Sequence, residues 1–185
     1  MPKASGERLK MKLSLRRVLI LFAAMFFALA TGVTGAQAVT NFDNAPEGAH
    51  YARGEAEPVC TVENDNTVTC TDTAIAGVGN TNAFVELAVT RTFTGECRNP
   101  GSKEKVVDPF TESATTTDSA ELTPSRNGRL TVDERSATVQ SEEEFLDTFS
   151  CPNPNWEADV TDTGISYVYT LTFDGFTEPA IEITG

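Results

Sequence analysis

The amino-acid sequence predicts an all-β protein, an antiparallel Ig-like β-sandwich of seven or eight strands with one short helical segment. Three observations carry that prediction. Several runs alternate apolar and polar residues with the period of two that a half-buried strand requires, most clearly Ile165–Phe173. Turn signals rich in Gly, Asn and Pro separate those runs at short intervals, as in sandwiches and barrels. Four cysteines, Cys60, Cys70, Cys97 and Cys151, are spread among the runs, the habit of small domains stapled by disulfides. A closed barrel is the runner-up architecture.

The start of the chain stands outside this pattern. Arg16 and Arg17 precede thirteen apolar residues, Val18–Ala30, and small residues lead on to Ala36-Gln37-Ala38. A basic start, a short apolar core and an A-x-A site make an export signal peptide, with cleavage expected after Ala38. The apolar core is shorter than the roughly 18–20 residues of a spanning helix, so no membrane anchor is expected after cleavage. Met11 alone would open a conventional leader, which makes Met1–Lys10 an upstream extension. The expected organisation is a signal peptide at 1–38, a flexible leader at 39–57 and one sandwich domain at 58–185, secreted to the extracellular space.

Along the domain, Pro58–Glu63 and Thr67–Ile75 form a hairpin about Asn64-Asp65-Asn66. That centre puts Val62 opposite Val68 and Cys60 opposite Cys70. Four cysteines allow three pairings, and this register selects Cys60–Cys70, leaving Cys97–Cys151. By loop entropy the two bridges contribute about 3 and about 4 kcal/mol. Ala76–Asn82 is a Gly/Asn loop, and Ala83–Thr94 is a long strand with Val85, Leu87, Val89 and Phe93 on one face. Cys97–Asp108 is a polar loop. Phe110–Leu122, weakly patterned and Thr-rich, is expected as an edge strand. Asn127-Gly128 marks a tight turn from which Leu130–Val139 pairs back. Ser141 and Glu144 stand in capping-box spacing before Phe145, Leu146 and Phe149, so one or two helical turns are expected, stopped by Pro152 and Pro154. Trp156–Thr161, Ile165–Phe173 and Ile181–Ile183 supply the closing strands.

Cleavage after Ala38 leaves 8 basic and 26 acidic side chains, a net charge of −18 with His neutral. Such a field repels nucleic acid and anionic lipid and favours solubility. No catalytic, cofactor or metal residue emerges. His50, the single histidine, falls in the leader rather than beside a serine and an acid. Zinc would need closely spaced Cys and His ligands that the chain lacks. Asn64-Asp65-Asn66 and Asp159–Asp162 offer oxygen ligands suited to calcium, but turn chemistry explains them as well.

Ala76–Asn82 (AGVGNTN), Cys97–Ser102 (CRNPGS) and Cys151–Trp156 (CPNPNW), with Asp159-Val160-Thr161-Asp162 after them, resemble a group of small secreted actinobacterial β-sandwich proteins. Their pattern runs G-[LV]-G-N, C-x-N-P-G, C-P-N-P-N-W, and the resemblance covers Cys60–Phe173. Val78 stands where Leu is usual, and Lys103–Asp108 is more charged than the pattern. The resemblance implies a fold and a compartment and carries over no catalytic residue.

The candidate binding residues are basic. Arg98, Lys103, Lys105, Arg126 and Arg129, with Arg135, lie within one stretch containing two Gly-bearing loops. If those loops share one end of the sandwich, they form a positive spot able to dock an anionic cell-surface polymer such as wall teichoic acid, or an extracellular protein. Trp156, Tyr167 and Tyr169 sit on the regular apolar face of their strands, the core position rather than a sugar-binding platform. The resulting expectation is a non-catalytic extracellular interaction module. The alternatives are a small hydrolase built on Glu112, Asp118, Asp159 and Asp162, or a structural surface component pairing through Phe110–Leu122.

Overall fold

The structure is a computed structural model and describes residues 38–64, 66–101 and 106–185. The expected signal peptide up to Gln37, Asp65, Lys103 and Lys105 lie outside the described residues. In chain order the strands are β1 (Val39–Thr40), β2 (His50–Tyr51), β3 (Cys60–Glu63), β4 (Thr67–Cys70), β5 (Thr73–Ala76), β6 (Ala83–Arg98), β7 (Val106–Leu122), β8 (Arg129–Val132), β9 (Arg135–Thr138), β10 (Glu157–Phe173) and β11 (Ile181–Thr184). A 3-10 turn covers Phe42–Asn44, and one helix, α1, covers Glu142–Thr148.

Five strands form one antiparallel layer in the order β1-β11-β10-β6-β7. The other strands form the sets β2-β5-β8 and β3-β4-β9. These two sets keep a single register. Thr67 faces Thr138 and Cys70 faces Arg135; beyond a short break, Thr73 faces Val132 and Ala76 faces Arg129. The expected strands Thr67–Ile75 and Leu130–Val139 are therefore real, interrupted where β4 gives way to β5 and β8 to β9. Their partner is the difference. Leu130–Val139 pairs with 67–76 and not back onto the Thr-rich strand, whose one ladder partner among the described strands is β6.

Alternation selects the core. The odd-numbered residues of β6, from Ala83 to Cys97, are all buried. Val85, Leu87 and Val89 pack with Tyr169, Leu171, Ile181 and Ile183 of their own layer and with Val68, Ile75, Leu130 and Val132 opposite. Burying one such side chain stabilises the fold by about 1.5–3 kcal/mol. Gly77, with φ at +81°, lies where a Cβ would fall 2.2 Å from the Gly48 carbonyl oxygen. Only glycine permits that loop to pass.

Residues 39–57 correct the expectation of a flexible leader. Val39 and Thr40 pair with Glu182 and Ile181, and His50 and Tyr51 pair with Ala76 and Ile75. Ala45 and Ala52 are buried, and Phe42 meets Tyr51 edge-on at 5.2 Å between centroids. A segment poor in periodicity is held here by strand edges it completes, which local sequence does not advertise.

At their far ends β6 and β7 are covered by α1. Ser141 caps the helix as expected. Its side chain accepts from the Glu144 backbone N–H, while the Glu144 carboxylate accepts from the Ser141 N–H at 2.8 Å. Phe145 then stacks on Phe93, with centroids 4.3 Å apart, and Phe149 packs on Phe110 at the same separation. The Phe110 ring lies over Gly95, filling the space a side chain would take. Cys97–Cys151 ties the exit of α1 to the end of β6, and Cys60–Cys70 joins directly opposed residues of β3 and β4. Both expected pairings are present.

The closing strands Trp156–Thr161 and Ile165–Phe173 are one strand. β10 pairs with β6 throughout, with a register shift between Val160 and Asp162 that leaves Thr161 as an extra residue. Tyr167 and Tyr169 are buried as expected. Trp156 corrects the expectation of a core position: it precedes the strand in a turn and is half-buried.

Candidate functional site

The described basic candidates, Arg98, Arg126 and Arg129, do not converge. Arg98 ends β6 opposite the start of β7, whereas Arg126 and Arg129 follow the end of β7, whose Leu122 pairs with Ala83. A strand of sixteen residues separates the two loops, on the order of 50 Å at the rise of a β-strand. Among the described residues Arg98 therefore lies at the opposite end of β6 from Arg126 and Arg129 and shares no spot with them. Arg98 and Arg129 are also engaged in ion pairs. Arg98 pairs with Glu96 and, at 3.0 Å, with Asp159; Arg129 pairs with Glu55 at 2.6 Å. Arg126 is exposed in its loop.

The carboxylates are dispersed as well. Glu112 and Asp118 are register partners of Phe93 and Leu87 and so share the inner face of β7. Asp159 and Asp162 partner Glu96 and Thr94 on the outer face. Two acids must flank one bond to share glycosidic chemistry, and these four do not meet. Asp118 instead joins β9 to β7, accepting from the Ser136 backbone N–H at 3.1 Å and from Arg135 at 3.3 Å. The His50 ring nitrogen Nδ1 lies 2.8 Å from the Gly48 carbonyl, away from any serine–acid pair. No group of three or more His, Cys, Asp or Glu able to hold a metal occurs among the described residues.

A hollow of about 240 Å³ opens between α1 and β7. Phe93, Phe145, Phe149 and Ala114 line it, with Glu112 as its one acid. Behind it sits Arg91, a residue that alternation alone should have flagged. It occupies the inward phase of β6 between Val89 and Phe93 and is buried. Its guanidinium donates to the Thr163 hydroxyl at 3.0 Å and stands 5.7 Å from the Phe93 ring centroid. A cation over a ring in that geometry is a packing device.

The outer face of the five-stranded layer carries hydroxyls, carboxylates and isolated apolar side chains. Register partners Thr90 and Thr115 join hydroxyls at 2.8 Å, and Thr92 and Ser113 at 2.9 Å. Further along β6, Phe84 stands between Thr172 and Glu121, and Glu86 between Thr170 and Ser119. Val168 partners Ala88, and Glu182 on β11 partners Thr170. Phe84 and Val168 are 41% and 44% exposed, two of the five exposed large apolar side chains among the described residues. Comparison with protein-family models, with curated proteins and with solved structures found no match at the level of significance applied.

Proposed function

We propose that the chain is exported and acts as a non-catalytic extracellular interaction module. The observation that carries this reading is the pairing of all four cysteines in two disulfides, a framework suited to an oxidising compartment. A basic, apolar, A-x-A leader ahead of the fold supports it. So does the dispersal of the acids and the histidine over separate faces, which favours a binding role over the hydrolase alternative. The likeness to small secreted actinobacterial proteins points the same way.

Expression with the leader intact in a secreting host tests it. The expected product is found in the medium, begins at Val39 and yields a Cys60–Cys70 peptide on non-reducing mapping. A product held in the cytosol with free thiols overturns the reading.

A further inference from the structure

We propose that the outer face of the five-stranded layer, centred on Phe84, binds a neutral glycan. The proposal rests on the reading of the chain as an extracellular interaction module and gives that module its ligand class. Among the described residues Phe84 is the one Phe, Tyr or Trp that is exposed; every other is buried or half-buried. A phenyl ring standing free on a rigid sheet offers a flat apolar surface to the C–H face of a sugar ring. Val168 is a second exposed apolar side chain on the same face, about 13 Å farther along the ladder beyond Glu86 and Thr170.

Around that ring the chemistry is hydrogen bonding without positive charge. Glu86 and Glu182 present carboxylates that accept from sugar hydroxyls, and such charge-assisted bonds are the stronger kind. Thr170 adds a hydroxyl between them, and Thr172 another beside Phe84. These side chains are short and stand on paired strands, and β-branched threonine is stiff at χ1, so little freedom is lost on binding. The carboxylates and the net charge of −18 expected after cleavage turn away anionic polymers. The same acids set a second copy of the face against itself. A protein partner would need a larger apolar centre with aromatic or Arg anchors than Phe84 and Val168 provide.

The test uses the secreted protein on insoluble cellulose and chitin, both uncharged, reading depletion from solution at low and high salt. Retention on at least one polymer, unchanged by salt, is expected. Phe84→Ala should weaken it about tenfold, equivalent to about 1.4 kcal/mol. Val168→Lys, at another exposed position, should weaken it likewise, while Val62→Ala, an exposed apolar residue of the other layer, should leave it unchanged. Absence of retention on both polymers overturns the proposal, as does retention that salt abolishes or that both face variants keep. Export is read separately from the N-terminus of the medium form, so a failure here leaves the module reading standing.

Discussion

Tyr169 holds a hydroxyl inside the core with no hydrogen-bond partner among the described residues. Burial pushes its pKa above the usual value of about 10, against the opposing pull of Arg135, and burial shifts Tyr167 and Tyr51 in the same direction. The fold therefore keeps protons that the unfolded chain gives up above pH about 10, and stability falls as pH rises through that range. Tyr169→Phe removes an orphan polar group together with one of these titrations. Urea unfolding should show unchanged stability or a gain of up to about 1 kcal/mol, with a shallower alkaline loss. A loss exceeding about 2 kcal/mol would show that the hydroxyl has a partner. Trp156 shows how residue-scale reading fails: its alternation with Ala158 and Val160 is genuine, but the strand begins after it.

Among the elements, β7 is the exposed one, a seventeen-residue edge of the five-stranded layer. Edges of that length invite pairing, and this one carries Pro109 and the inward acids Glu112 and Asp118, devices that discourage it. Those acids weigh against the structural-coat alternative. Asp118 also holds β9, so Asp118→Ala strands Arg135 and a backbone N–H together. A loss of about 2–3 kcal/mol is expected in the urea midpoint, with the variant more prone to aggregate, whereas Asp118→Asn should recover part of the loss. That β7 is an edge was legible in its weak patterning. That its loop leads across to the other layer was not, because an Asn-Gly turn specifies a bend and not the strand that lies beyond it. The helix was fully legible, since capping box and aromatic spacing are both local.

At the scale of the whole molecule, the disulfides divide the labour. Cys60–Cys70 locks a hairpin that the strand ladder already aligns, while Cys97–Cys151 holds α1 over the ends of β6 and β7. Replacing Cys97 and Cys151 by Ser should cost about 4 kcal/mol in thermal or urea unfolding, and replacing Cys60 and Cys70 about 3. Only the first pair should also loosen α1, seen as faster hydrogen exchange at Phe145 and Phe149. The hairpin register could be read from the sequence because the two cysteines stand equally far from a recognisable turn. The docking of 39–57 could not, since it depends on distant strands.

Thr161 keeps two reading frames of one ribbon in step. Before it, the even-numbered Ala158 and Val160 turn inward; after it, the odd-numbered Thr163, Ile165 and Tyr167 do. Excising that single residue would leave every pairing with β6 as it stands and restore unbroken alternation, with Ala158 and Val160 still facing inward and only the local kink lost. Were Thr161 instead drawn into the ladder opposite Gly95, Asp159 would turn toward Cys97 and Ala158 and Val160 would roll out into water, so it is the extra residue that keeps the distal end in phase.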